Sequence, residues 1–170
     1  METNDYKNII TIKFAQAERP KFKEVSGKDY VEFGAKNDYP TYLLDLYNES
    51  PKHGAIIKGK VNYIFGKGFK DIIQPANSAG EMWNDILKKC IFDDEIFCGY
   101  YLQIVWNLLG QVKDVFHIPF YKVRTNKAEN KFFVKDNWQD ANEKRREYTA
   151  FNGKYDKAQP SQILFVKQYN

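Results

Sequence analysis

Apolar positions recur at two different spacings along this chain, and the change of spacing divides it. Up to Phe97 the helical spacing comes in separate stretches, beginning with Leu43, Leu44 and Tyr47. Pro40 stands just ahead, where a first helical turn has no use for the N–H that proline lacks. Asn48-Glu49-Ser50-Pro51 then closes that helix and opens a second, with Ser50 as N-cap and Pro51 at the first helical position. In the second helix Ile57, Val61, Ile64 and Phe65 form an apolar stripe, and Lys52, Lys58 and Lys60 lie mostly off it. Gly66 and Gly68 stop it, since glycine tolerates the left-handed conformation at a helix end. The stretch Asn37 to Phe69 is thus a helical corner, with helix predicted over about 39–66. Phe69 to Ile73 is predicted as a short strand and Pro75 to Gly80 as a loop. Ser78-Ala79-Gly80-Glu81 fits a Ser-x-x-Glu capping box. Trp83, Ile86, Leu87, Cys90 and Phe97 then keep helical spacing, which predicts the longest helix over about 79–98.

At Gly99 the pattern changes to that of strands. Tyr100 to Trp106 is rich in aromatic and β-branched residues, Asn107 to Gln111 turns the chain, and Val112 to Ile118 returns it, predicting a β-hairpin. Tyr100, Leu102, Ile104 and Trp106 share one face and are taken as the core side. Pro119 ends the return strand, and Phe120 to Thr125 is an extended exit carrying Arg124. Further strands are predicted at Lys131 to Lys135, Arg146 to Phe151 and Ser161 to Lys167, with Asn152-Gly153 as a strong two-residue hairpin signal. Helices first and strands after argue an α+β fold: a helical corner and one long helix packed with a mainly antiparallel sheet of hairpins. Residues 1–29 carry only a weak strand pattern at Ile9, Ile10, Ile12 and Phe14 and are expected to form a partly mobile arm. Residues 30–170 form the domain, β-rich over 99–170.

Composition narrows the classes. The 170 residues suit one domain or two small ones, and aromatics at 16% argue against wholesale disorder. A net charge of +4 permits an acidic partner without demanding one. The first 24 residues are polar and of mixed charge, unlike a signal peptide, and no apolar run approaches the ~18–20 residues of a membrane helix. A soluble, non-secreted protein is expected. Cys90 and Cys98, if on one helix, are separated by ~12 Å of rise, too far for a disulfide.

Chemistry is sparse. His53 and His117 are the only histidines, and their spacing to the cysteines matches no zinc motif. Asp93-Asp94-Glu95 suggests a cation site, but consecutive helical residues point ~100° apart, so a solvated or salt-bridged face is expected. There is no Gly-x-Ser-x-Gly and no phosphate loop, and Gly66-Lys67-Gly68 is too short to be one. No catalytic residue set, metal site or cofactor is predicted. Lys52, Lys58, Lys60, Lys67 and Lys70, interleaved with Tyr63 and Phe69, together with Arg124, are the candidate contacts to a phosphate backbone or to another subunit.

Several blocks carry a resemblance. Asn37-Asp38-Tyr39-Pro40, a short helix, then Ser50-Pro51-x-His53-Gly54-Ala55-x-Ile57-x-x-Lys60-Val61-x-Tyr63-Ile64-x-Gly66-x-Gly68-Phe69 resembles the N-terminal part of tailed-bacteriophage portal proteins. Three later blocks agree in the same order: Ile91 to Asn107, Val115 to Arg124, and Ser161 to Tyr169. Together they cover about Tyr30 to Tyr169.

The resemblance implies a structural subunit of a ring, commonly of twelve, at one vertex of a phage head, through which double-stranded DNA is packaged and ejected. The implied partners are other portal subunits, the packaging terminase, the head–tail connector and the capsid protein, in a virion or the bacterial host cytoplasm and without a membrane. Portals hydrolyse no nucleotide. Family members run on for several hundred residues into clip and stem elements, and this chain stops at Asn170, where that part would begin. The resemblance therefore covers the wing-like portion and carries over no DNA-contacting position. The alternative is a nucleic-acid-binding or protein-interaction module without catalytic activity.

Overall fold

The computed structural model describes residues 28–34 and 36–168, so the strand pattern at Ile9 to Phe14 lies outside the described residues. Among the described residues three α-helices precede six strands: α1 Tyr39–Glu49, α2 Pro51–Phe65, α3 Trp83–Phe97, β1 Gly99–Trp106, β2 Val112–Ile118, β3 Val123–Thr125, β4 Lys131–Val134, β5 Arg146–Ala150 and β6 Ser161–Lys167. The fold is α+β. Among the described residues no helix is long and apolar enough to cross a membrane.

The corner forms at Ser50. Its N–H donates to the Leu46 carbonyl and closes α1, while its hydroxyl accepts from the His53 N–H at 3.4 Å and caps α2. Gly54 lets the helices cross, because a Cβ there would come within 3.0 Å of the Tyr47 carbonyl oxygen. Ile57 and Val61 of α2 pack with Ile91 of α3, flanked by Tyr47, Phe65, Leu87, Phe92 and Ile96. Ile64, expected in that stripe, is instead 52% exposed.

Two predicted boundaries change. Phe69 to Ile73 is not a strand: Asp71 takes φ 62°, which breaks an extended run, and Ile73 stays 86% exposed. The segment is held at Phe69, whose N–H donates to Asn84 Oδ1 at 2.7 Å. The helix expected to be the longest begins at Trp83, not near residue 79, because Gly80 sits at φ 83° and cannot be helical; at 15 residues it only equals α2. Ser78 caps nothing; its N–H donates to Asp114 Oδ1 at 2.7 Å. The cap belongs to Asp85, which accepts from the Met82 N–H at 3.2 Å. Cys98 ends the helix in the left-handed conformation at φ 60°.

The strands form one mixed sheet in the order β2-β1-β6-β5-β4-β3. Four of its five pairings are antiparallel, and β5–β6 is parallel. The hairpin predicted at Asn152-Gly153 therefore does not exist. Strand β6 lies antiparallel to β1 along its whole length, from Gly99 opposite Lys167 to Val105 opposite Ser161. That pairing sets the direction of β6, so the chain leaving β5 must loop back before entering it. Asn152-Gly153 makes a turn within the loop, with Asn152 Oδ1 accepting from the Lys154 N–H at 2.9 Å. Gly99 is required by the β1–β6 pairing, since a Cβ there would stand 2.7 Å from the Val166 carbonyl oxygen.

Both faces of β1 are covered, and the main core lies on the side opposite to the expected one. Tyr101 is fully buried with Ile118, Phe120, Val123, Phe132, Val134 and Ile163. Its ring stacks on Phe165 at 4.5 Å, and Phe97 stacks on Phe120 at 4.6 Å. Tyr100 and Leu102, on the expected face, are half-buried against Ala76, Ile86 and Cys90. Helix α3 packs on β1 and β2, which is why strict alternation fails. The edge at β2 is covered by residues 76–77, with the Val115 N–H donating to the Ala76 carbonyl at 2.9 Å. At β3 the Val31 N–H donates to the Thr125 carbonyl at 2.8 Å, so neither edge is left fully open for another strand.

Candidate functional site

The predicted cations divide into three groups. Lys52, Lys67 and Lys70 are exposed beside α2 and after it. Lys58 and Lys60 are exposed but engaged: Lys58 sits 6.0 Å over the Tyr47 ring, and Lys60 forms an ion pair with Glu95. Arg124 lies inside, 1% exposed, where no phosphate reaches it while the fold is intact. The structure brings the α2 lysines to one helix and leaves Arg124 on the sheet, apart from them.

Arg124 is a structural element of the corner. Its Nε donates to Asn37 Oδ1, its Nη2 to the Asn37 carbonyl at 2.9 Å, and its Nη1 to the carbonyls of Tyr121 at 3.0 Å and Val123 at 2.8 Å. Phe33 and Trp138 sandwich the guanidinium, each ring centroid 4.9 Å away. All these acceptors are neutral. Burial lowers its pKa to about 10, with Tyr101, Tyr30 and Glu32 pulling the other way, so it stays charged at neutral pH.

The acidic run on α3 diverges as helical geometry requires, but not all of it is solvated. Glu95 pairs with Lys60, and Asp94 Oδ2 accepts from Gln168 Nε2 at 2.9 Å. Asp93 is buried, and its Oδ2 accepts from His117 Nε2 at 2.8 Å and from the Phe120 N–H at 3.0 Å. This carboxylate–imidazole pair ties α3 to the end of β2 and to the 3-10 turn over Phe120–Lys122. Among the described residues no cluster of three or more His, Cys, Asp or Glu is placed to hold a metal.

The Asp93–His117 pair lies along a groove of about 970 Å³ between the helical corner and α3. Leu44, Tyr47, Val61, Phe92 and Tyr121 form its apolar walls, with Lys58, Lys88, Lys89, Glu81 and Asp85 around them. Lys89 and Glu81 pair with each other, which lowers the Glu81 carboxyl below its ordinary range; Asn77 adds a second hydrogen bond in the same direction. No Ser, Thr or Cys lines this groove among the described residues; the hydroxyls that line it are the phenols of Tyr47 and Tyr121. The pairing of positions 93 and 117 spans 24 residues and leaves no local sequence signal.

Sequence reasoning also missed the outward faces of the corner. On α2, Ile56 is 62% and Tyr63 89% exposed; on α1, Tyr42 and Leu46 are 37% and 39% exposed, beside the exposed Asp45 and Glu49. The spacing of Tyr42, Asp45, Leu46 and Glu49, one helical stripe, was the available signal. Cys90 is buried and Cys98 exposed, and burial pushes the Cys90 thiol up to about 12. Comparison with protein-family models, with curated proteins and with solved structures finds no match.

Proposed function

We propose that this chain is a structural, assembly-forming domain: the wing-like portion of a portal-type subunit, working in a ring at the vertex of a phage head. The observation that carries this reading is the outward face of α2. Ile56, Tyr63 and Ile64 are 62%, 89% and 52% exposed on one rigid, capped helix. Apolar surface concentrated on a helix of this kind suits contact with another protein. The ordered sequence blocks support it too. They fall on the α1–α2 corner, the end of α3 with β1, the β2–β3 exit and β6, elements that pack on one another. Ring partners, the terminase, the connector, the capsid protein and channel DNA belong to this proposal as the resemblance implies them.

The test is to express the chain together with any coding sequence that continues in frame past Asn170 and to size the product by light scattering and electron microscopy. Closed rings are expected; a monodisperse monomer overturns the reading. The 170-residue chain alone is expected to be monomeric or weakly associated.

A second reading, a nucleic-acid-binding module, is favoured by the exposed Lys52, Lys67 and Lys70. It requires duplex DNA binding whose log affinity falls linearly with log salt. Absence of binding at low salt disposes of it.

A further inference from the structure

We propose that the outward face of α2 in one copy of this chain packs against the outward face of α1 in the next copy. The inference deepens the ring-subunit reading and rests on it for taking a second copy as the occupant.

The two faces are complementary in charge. Helix α2, Pro51–Phe65, carries three lysines and no acidic residue; α1, Tyr39–Glu49, carries Asp45 and Glu49 and no basic residue. On α2 the exposed stripe runs Lys52, Ile56, Gly59, Tyr63, and on α1 it runs Tyr42, Asp45, Leu46, Glu49. Each stripe is apolar in part and charged in part, with opposite signs.

They are also complementary in relief. Gly59 is in the middle of a helix, where glycine is unfavourable. Gly54 has an internal reason, its close approach to the Tyr47 carbonyl, but a Cβ on Gly59 would meet nothing within 4 Å. Nothing inside the described fold requires glycine at 59. Ala55 and Gly59 therefore leave a low spot between Tyr63 and the ridge Ile56–Lys60–Ile64, and the space over it is lined almost wholly by apolar surface. Tyr42 and Leu46, four residues apart, form the kind of ridge that drops into such a low spot when two helices pack.

Both faces are exposed on the same molecule, so neither is covered by the other. A contact between unlike patches is heterologous, and repeated around an axis it closes a ring or extends a filament. Asp45 and Glu49 would then lie beside Lys52 and Lys60, the latter already paired with Glu95 within its own chain.

The test uses the full 170-residue chain at about millimolar concentration, as an equal mixture of ¹⁴N- and ¹⁵N-labelled protein. A carbodiimide joins lysines to carboxylates in direct contact, and mass spectrometry separates links between copies from links within one. Mixed-isotope links from Lys52 or Lys60 to Asp45 or Glu49 are expected. Gly59→Leu, which favours the helix and whose Cβ meets nothing within 4 Å, should fold and lower their yield by about tenfold. The variants Asp45→Lys/Glu49→Lys and Lys52→Glu should each fail to associate by sedimentation, and mixing them should restore association. Absence of those links, an unchanged yield in Gly59→Leu, or no rescue on mixing overturns the inference. Rings of the longer product without these links overturn the α1–α2 contact and leave the ring reading standing. Links without rings support the contact and overturn the ring reading.

Discussion

Arg124 holds Asn37 at both ends of its residue: Nε donates to the Asn37 side chain and Nη2 to the Asn37 carbonyl. Asn37 sits at φ 57°, a conformation uncommon for a residue with a side chain, and its Oδ1 also accepts from the Phe33 N–H at 3.1 Å. The entry to the helical corner is thus locked to β3 across 87 residues of sequence. A cation that sequence reasoning placed among possible phosphate or subunit contacts is the part that fixes how helices and sheet are joined.

Replacing Arg124 with Ala should cost about 3–5 kcal/mol, because it removes four hydrogen bonds and the ring sandwich and leaves the Asn37 carbonyl facing a void. Arg124→Lys should recover only part of this, since an ammonium cannot reproduce the planar fork. Urea denaturation followed by Trp fluorescence measures both, and a near-neutral Arg124→Ala would refute the locking role.

Tyr101→Phe should leave stability unchanged or raise it by up to about 1 kcal/mol. The Tyr101 hydroxyl is buried without a hydrogen-bond partner among the described residues, so it carries the cost of desolvation alone. A loss above about 1 kcal/mol in thermal or chemical melts would mean that the hydroxyl has a partner, such as an internal water.

The two thiols should differ sharply towards a disulfide reagent. Cys98 is exposed at the end of α3, whereas Cys90 is buried and its thiolate disfavoured by burial first and by Asp93 and Asp94 next. In the native protein one equivalent should react quickly and the second only on unfolding. Cys98→Gly removes the fast equivalent and, at φ 60°, should stabilise by about 0.5–1 kcal/mol.

Glu81 gives stability an acid limb. Its carboxyl is lowered from 4.5 by Lys89 first and Asn77 second. A depressed folded value contributes stability that is complete above the unfolded value and is lost as pH falls through the folded one. Glu81→Gln should therefore flatten the dependence of the urea midpoint on pH below about 4.5 and lower the midpoint by a pH-independent amount above it. An unchanged acid limb would show that the Lys89 pair does not persist in solution.

The chain itself was informative wherever a local rule sufficed. The break at Ser50-Pro51, the stop at Gly66, the start of β1 at Gly99 and the β1–β2 hairpin all follow from capping, from glycine's conformational freedom and from alternation over a few residues. The α+β character follows from the change of period near residue 99. These features depend on contacts within about a dozen positions, so the residues in one window contain the cause.

What the tertiary structure decided depends on partners far away in sequence. Pairing with β1 sets the direction of β6, and that overrides the hairpin signal of Asn152-Gly153. Packing of α3 on β1 and β2 buries both faces of β1 and brings Asp93 to His117. Burial, not residue type, separates Arg124 from the α2 lysines, since a guanidinium satisfied by neutral acceptors and two rings reads in sequence like any other cation. The helical corner was legible in the chain, but which of its sides faces inward, and hence which two sides are left to meet another molecule, was set only when α3 and the sheet closed over the rest.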